Sequence, residues 1–240
     1  MGETTHPGVP VDPSASGEPT QQARHVAIIT DGNGRWAQAR GLSVEEGHQA
    51  GADVVQARLR DAVELGIEEL TVYSFSTENW SRSAQEVTAL MRMFSQRIAA
   101  ETPELKAEGV RMRFIGSRDR VPEALREQMD WATAETADND RITLFVAFNY
   151  GGRQEILDAA ARYDGGGEEA FRSLLYAPEM HAPDLVIRTS GERRLSNFLL
   201  WQSAYSELVF RDELWPDFDR AAFEASLDEY QARTRRFGGR

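Results

Sequence analysis

Short apolar runs, each stopped by a turn or polar cluster, alternate along this chain with longer stretches of helical periodicity. Val26-Ala27-Ile28-Ile29 comes first and ends at Thr30-Asp31-Gly32-Asn33-Gly34. Runs at 70–75, 110–115, 142–148, 184–188 and 208–210 follow. Helical patterns lie between most of them, near 44–65, 84–100, 122–137 and 153–163, and a last one closes the chain at 220–236. Short, nearly continuous apolar runs are what strands covered on both faces look like. The alternation therefore predicts a single α/β domain with a central, mainly parallel sheet flanked by helices. Residues 1–24 are rich in Pro, Ser, Thr, Gly and Gln and are expected to be a disordered tail, with the domain running over 25–240. Gly165-Gly166-Gly167 is expected to be a flexible break.

Composition removes several function classes. The net charge of −12 disfavours binding to nucleic acid or to an anionic membrane surface. No apolar run approaches the roughly 18 residues of a membrane span, so no stable membrane insertion is expected. No signal peptide is visible, and the expected location is the cytoplasm. The chain has no Cys, which excludes disulfides, thiolate nucleophiles and Cys-ligated metals. Of 27 Lys and Arg residues only Lys106 is lysine. That rules out a phosphate-binding loop ending in Lys-Ser or Lys-Thr, and a Schiff-base enzyme would have to use Lys106.

In open α/β sheets ligands sit beyond the carboxyl ends of the strands. After the first strand comes Asp31-Gly32-Asn33-Gly34-Arg35-Trp36. The glycines permit close approach of an anion, and Arg35 offers a fork for phosphate. Asp31 would repel a bare phosphate, which points to a divalent cation between them, with Mg2+ the natural choice. A tight turn with a capping Asp fits the same residues equally well. The second strand ends in Ser76-Thr77-Glu78-Asn79-Trp80-Ser81-Arg82, and Ser83 to Glu86 fits a capping box for the next helix. Arg188-Thr189-Ser190-Gly191-Glu192-Arg193-Arg194-Leu195-Ser196 could form a second oxyanion pocket or a solvated charged loop. None of the four His has metal-ligand spacing to another. His48, inside a helical stretch, is as readily a structural residue as a functional one.

Together these segments are far more specific than any one alone. The opening His25-to-Ala37 segment resembles the first motif of the cis-prenyltransferases, the undecaprenyl diphosphate synthase family. Gly47-His48-x-x-Gly51, Phe75-to-Arg82, Asn149-to-Arg153, Asp184-to-Glu192, Arg194-to-Gln202, Trp215-to-Phe218 and the closing Arg235-to-Gly239 resemble the family's other motifs, in order.

The resemblance implies a hydrophobic tunnel for a growing chain, a homodimer and prenyl diphosphate substrates. It implies that Asp31 holds Mg2+ and helps the allylic diphosphate leave, with Gly32, Asn33, Gly34, Arg35, Trp36 and His48 around that diphosphate. It also implies Asn79 assisting proton removal beside Ser76, Thr77, Glu78 and Trp80, with Arg82 reaching diphosphate. Arg188, Arg194 and Ser196 would hold the second substrate, Glu207 would be a further Mg2+ ligand, and Arg236 and Gly238 would close the partner subunit's site.

The segment before His48 departs from the family. Many members carry Arg four residues before that His, whereas Val44 stands here, followed by Glu45 and Glu46. Ser43 to Glu46 also reads as a capping box that simply starts a helix. Short-chain members and head-to-middle relatives that make branched, lavandulyl-type products lack the Arg too. The first expectation is thus head-to-tail addition of isopentenyl diphosphate giving a short or medium product. The second is head-to-middle joining of dimethylallyl and geranyl diphosphate. The third, a non-catalytic subunit, fits poorly with a chain that keeps Asp31, Arg35, Asn79, Arg188 and Arg194.

Overall fold

Every residue of the first strand, β1 (His25–Ile29), is buried, as the apolar run Val26 to Ile29 within it requires. A computed structural model describes residues 22–233. Its other strands are β2 (Glu69–Ser76), β3 (Val110–Ile115), β4 (Ile142–Tyr150), β5 (Leu185–Arg188) and β6 (Glu207–Phe210). They form one six-stranded sheet in the order β3-β4-β2-β1-β5-β6, and every neighbouring pair is parallel. From β1 the chain moves to β2 on one side and returns much later to β5 on the other. Their carboxyl ends therefore border one crevice.

The period of two along the strands divides the core between the faces. Val26 and Ile28 pack with Leu70, Val72, Leu144 and Met112 on one side. Ala27 and Ile29 pack with Tyr73, Phe145, Ala147 and Phe198 on the other. The helices are α1 (Asn33–Ala39), α2 (Val44–Glu64), α3 (Ala84–Ala107), α4 (Glu123–Glu135), α5 (Gly152–Ala160), α6 (Gly167–Arg172) and α7 (Arg220–Gln231). Short 3-10 turns occupy Thr77–Ser81 and Trp215–Asp217.

Several boundaries differ from the sequence expectation. Residues 22–24 belong to the fold rather than to a tail. Ala23 is buried, the Arg24 backbone N–H donates to Asp184 Oδ2 at 2.9 Å, and the Arg24 guanidinium pairs with Glu68. Helix α3 runs past the expected stop at residue 100 and contains Pro103. Thr102 supports that last stretch, its hydroxyl donating to Ile98 O at 2.6 Å. The three glycines at 165–167 all have positive φ, but they lead directly into α6, with Gly166 as its N-cap. Helix α7 ends at Gln231 within the described residues. The expected disorder of residues 1–21, and Arg236 and Gly238, lie outside them. Among the described residues no helix is long and apolar enough to cross a membrane. Lys106 forms a surface ion pair with Glu135 at 2.7 Å.

Candidate active site

A cavity of about 480 Å3 opens at the carboxyl ends of β1, β2 and β5. Gly32 turns the chain from β1 into α1 with φ of 114°, a region that favours glycine, and a Cβ there would press on the Leu214 side chain. Asp31 is pinned on both sides of its backbone. Its N–H donates to Thr189 Oγ1 at 3.0 Å, and the Thr189 hydroxyl donates to Asp31 O at 2.7 Å. The Arg188 guanidinium, nearly buried at the end of β5, donates from Nη2 to Asp31 Oδ2 at 2.8 Å. Its Nη1 donates to Arg194 O at 2.5 Å and Ser196 Oγ at 2.6 Å. The other carboxylate oxygen, Asp31 Oδ1, has Arg35 Nη2 at 3.8 Å, beyond hydrogen-bonding distance. The carboxylate is one-third exposed to the cavity (33%).

The loop after Arg188 carries Ser190, Ser196, Asn197 and Leu199, all with positive φ. Non-glycine residues in that region are strained, and such strain collects at functional sites. Ser190 Oγ is buried there without a hydrogen-bond partner.

The opposite wall comes from β2 and the two helices beside it. Ser76 and Asn79 cap the 3-10 turn reciprocally, with Ser76 N donating to Asn79 Oδ1 at 3.0 Å. Ser83 caps α3 from one side only, accepting from Glu86 N at 3.2 Å. The Glu86 carboxylate turns instead to Arg82 Nη1 at 2.5 Å and stands 3.7 Å from His48 Nε2, so the capping role does not exhaust it. Burial, then the neighbouring Arg82 cation, hold the His48 pKa below its ordinary value and keep the ring neutral near pH 7.

Beneath this polar chamber lies a smaller apolar cavity of about 110 Å3 between α2, α3 and the sheet. Thr30, Asn33, His48, Ser74 and Leu90 border both, so the two are continuous. Val55, Val72, Met93, Phe94, Phe114 and Val146 are among its walls. Helices α1 and α2 reach this closeness because Gly47 and Gly51 lack side chains. A Cβ on Gly47 would overlap the Asn33 carbonyl, and one on Gly51 the Asn33 side-chain oxygen.

A paired acid and guanidinium at the mouth of a chamber that leads into an apolar slot suits a substrate with an anionic head and a hydrocarbon tail. A family model described as putative undecaprenyl diphosphate synthase matches residues 29–238. The chain belongs to that family. It is 50% identical over 225 residues to an isoprenyl transferase of Thermotoga maritima, covering 90% of this chain and 97% of that one. It is also 50% identical over 226 residues to isoprenyl transferase 2 of Bradyrhizobium diazoefficiens, covering 90% of each. Among solved structures, lavandulyl diphosphate synthase from Lavandula x intermedia in complex with dimethylallyl diphosphate aligns with a TM-score of 0.87 at 36% identity, covering 91% of this chain and 99% of that one. A probable undecaprenyl diphosphate synthase from Campylobacter jejuni aligns with a TM-score of 0.79 at 29% identity, covering 91% and 100%. This undecaprenyl diphosphate synthase family member is a prenyltransferase enzyme, as its isoprenyl transferase relatives indicate.

Not every residue expected at the site lies there. Asp31, Asn33, His48, Ser76, Glu78, Asn79, Arg82, Arg188 and Ser196 line the polar cavity. Gly32 and Arg35 flank it. Gly34 stands at the start of α1 with open space on its Cα, so nothing within the chain demands glycine there. Trp36 turns away: its Nε1 donates to Asp217 Oδ1 at 2.7 Å and Arg40 stacks 4.3 Å over the ring. Trp80 acts from behind the wall, donating to Asn149 Oδ1 at 2.6 Å, while Asn149 Nδ2 holds Ser117 O and Asp119 O. Thr77 packs towards Gly151. The Arg194 side chain leaves the cavity to pair with Glu192, and only its backbone carbonyl serves Arg188.

Glu207 requires a correction within one chain. It pairs with Leu185 in the sheet register, whereas Arg188 pairs with Phe210. That is roughly 10 Å along the strands, at about 3.3 Å per residue, away from the cavity end. Its carboxylate accepts from Arg233 Nη1 at 2.9 Å, so it shares no metal with Asp31 of the same chain. Conversely, Asn197 was not among the expected site residues. It lines the cavity, and its Nδ2 donates to Glu78 Oε1 at 2.9 Å. Its position directly after Ser196 in the Arg194-to-Gln202 motif was the available signal.

Among the described residues no group of three or more metal-ligating side chains occurs. A Mg2+ ion in this kind of site needs no such group, because one carboxylate and the oxygens of a substrate diphosphate satisfy it. The partly exposed Asp31, with one oxygen lacking a close partner, fits that donor set.

Proposed function

We propose that the protein is a Mg2+-dependent cis-prenyltransferase that adds isopentenyl diphosphate head-to-tail to a short allylic diphosphate, giving a short or medium product. The observation that carries this reading is the continuity of the Asp31–Arg188 chamber with the apolar slot between α2 and α3.

Asp31 would hold the ion, and the ion would supply charge neutralisation for the departing diphosphate. Arg35, the unpaired N–H groups at the start of α1, and His48 surround the allylic diphosphate in this reading. No side chain caps α1, which leaves those N–H groups free for an anion. The allylic C–O bond breaks with its electron pair leaving on the diphosphate. The double bond of the second substrate attacks the resulting cation, and a proton is then lost from the adjoining carbon. Preorganised donors act where that charge develops, and the apolar slot excludes water that would quench the cation. Arg188, fixed by Ser196 and the Arg194 carbonyl, with Arg82 across the chamber, serves the second diphosphate. Asn79 orients rather than abstracts. Its Oδ1 is engaged by Ser76 N, and an amide is no base, so the departing diphosphate is the proton acceptor.

Head-to-middle condensation of two allylic diphosphates is the second reading. It is favoured by Val44, which is exposed where an Arg would reach a diphosphate, and by the likeness to lavandulyl diphosphate synthase. Against it, Ser43 and Glu46 form a complete capping box, so the departing segment has a structural purpose of its own. A cytoplasmic homodimer completes the proposal, supported by the edge strand β6 and the exposed Tyr205 beside it.

Product analysis with purified protein and Mg2+ tests both readings. Dimethylallyl, geranyl and farnesyl diphosphate are each offered with and without isopentenyl diphosphate, and dimethylallyl with geranyl. Linear products that require isopentenyl diphosphate are expected. Branched products without it would establish the second reading. Absence of any product from the pure chain would overturn both and point to a non-catalytic subunit.

A further inference from the structure

The turn at Thr77–Ser81 and its two flanking residues bring Ser76, Glu78, Asn79 and Arg82 to the polar cavity. The bonds inside the turn are local. Ser76 N donates to Asn79 Oδ1, and Ser81 Oγ donates to Glu78 O at 2.7 Å. Such bonds fix the shape of a turn but not its place beside Asp31. Trp80 ties it to a distant support. The indole meets Phe75 edge-on with ring centroids 5.0 Å apart, and the Arg120 guanidinium lies 4.6 Å over its face. Its Nε1 donates to Asn149 Oδ1 at 2.6 Å. Asn149, near the carboxyl end of β4, is 3% exposed and left-handed, with φ of 50°. Its Nδ2 donates to Ser117 O and to Asp119 O, both at 2.8 Å, and its carbonyl accepts from Ser117 N at 3.1 Å. One buried amide thus joins β4, the loop after β3 and the turn that walls the cavity.

We propose that Asn149 is a positioning residue for prenyl transfer, holding Asn79 and Arg82 in place through Trp80 without itself touching substrate. The inference rests on the prenyl-transfer reading above. The position makes three demands at once: tolerance of positive φ, an acceptor for the indole and two donors for the carbonyls. Glycine meets only the first, and Asp lacks the donors. Turned over, the amide would set its NH2 against the indole N–H and its oxygen against two carbonyls, so the bonds hold in one orientation only. The loop that it grips lies tight on β4. Gly116 has φ of 138°, and a Cβ there would overlap the Phe148 carbonyl. Asn79 and Arg82, on either side of Trp80 in sequence, are therefore referenced to the β3–β4 side of the sheet. Asp31, Arg35 and the start of α1 hang from β1 and are independent of this support. A displacement of about 1 Å in groups that orient a reaction costs up to about a hundredfold in rate.

The test is steady-state kinetics of Asn149→Gly, which keeps the backbone conformation and removes the amide. Thermal melting is the control for folding. A fall in kcat of about ten- to a hundredfold is expected, with a raised KM for isopentenyl diphosphate, which Arg82 serves. The KM for the allylic substrate is expected to stay within about twofold, since its holders lie on the β1 side. A folded variant with kcat and both KM values unchanged overturns the inference, and so does an equal rise in both KM values, the mark of general loosening. Trp80→Phe keeps a ring beside Phe75 and Arg120 and removes the Nε1 donor. It is expected to show the same split, and the double variant should turn over no more slowly than Asn149→Gly alone. Additive losses overturn the route through Trp80. Unaltered kinetics in Trp80→Phe overturn it too, even where Asn149→Gly fails to fold. An unaltered enzyme that makes no prenyl product would instead sink the underlying reading, so the two failures are separable.

Discussion

Arg188 donates from Nη2 to Asp31 Oδ2 at 2.8 Å, joining residues 157 positions apart at the ends of two adjacent parallel strands. The pair is asymmetric. The guanidinium is nearly buried and its two Nη atoms reach three acceptors while its Nε has none, and the carboxylate keeps one oxygen towards the cavity. Asp31→Ala removes that oxygen and leaves a buried cation short of a partner. Turnover is expected to fall by two or more orders of magnitude with little change in KM, because the lost interaction acts on developing charge. Stability should drop by about 1–3 kcal/mol in denaturant unfolding. Near-normal kcat in a folded variant would remove Asp31 from the mechanism.

Gly51→Ala tests the approach of α1 to α2. The added methyl group meets the side chains of Asn33 and Trp215, so these side chains or one of the two helices must shift. Overpacking of this kind costs about 1–3 kcal/mol. Asn33 borders both cavities, so kcat/KM should fall together with the melting temperature. A melting temperature equal to that of the unaltered protein would show that the contact is slack.

Trp36→Phe separates family motif from active chemistry. The indole is committed to Asp217 and Arg40, away from the cavity. We expect kcat and KM within about twofold and a stability loss near 1 kcal/mol from the missing hydrogen bond. A tenfold rise in KM would place Trp36 at substrate after all.

Acid sensitivity should trace in part to His25. Its ring is wholly buried, bonded to Thr71 Oγ1 and the His181 carbonyl, and burial lowers its pKa to about 4. The unfolded chain takes up the proton near pH 6.5, whereas the folded one does not until about pH 4. Its contribution is therefore fully present above pH 6.5 and is lost as pH falls through that window. The loss amounts to about 3 kcal/mol. Urea unfolding at pH 7.5 and 4.5 should show a weaker pH dependence for His25→Gln than for the unaltered protein. Identical slopes would assign the acid sensitivity to other groups.

The strands were legible because burial on both faces writes an apolar run into the sequence. The Val110–Ile115 strand matches its expected bounds, and β1 nearly so. Helix α1 left no periodic trace because seven residues make too few turns, two of its first residues being Asn33 and Gly34. The end of α3 was hidden by Pro103, whose local preference is overridden by packing of Leu105. At the site, residues that act through position in a loop, such as Asp31 and Ser76, were legible from the motifs. Where a side chain points was not. Trp36, Thr77, Trp80 and Arg194 sit in the same motifs and turn elsewhere, because a distant partner such as Asp217 or Asn149 decides their direction. Glu207 illustrates the same limit, since only the sheet register reveals that it faces the other end of its strand.

The placement of β5 beside β1 also bears on synthesis of the protein. Chains are made from the amino terminus, and early segments collapse before later ones emerge. A nascent chain that has completed β1 to β4 already carries the Asp31 carboxylate and every residue that walls the apolar slot except Trp215. It lacks the guanidinium at 188 and the 190–199 loop, so it presents the groove without the Arg188 and Ser196 side of the second diphosphate's pocket. A complete pocket for both substrates is thereby withheld from unfinished chains until the last third of the protein has docked.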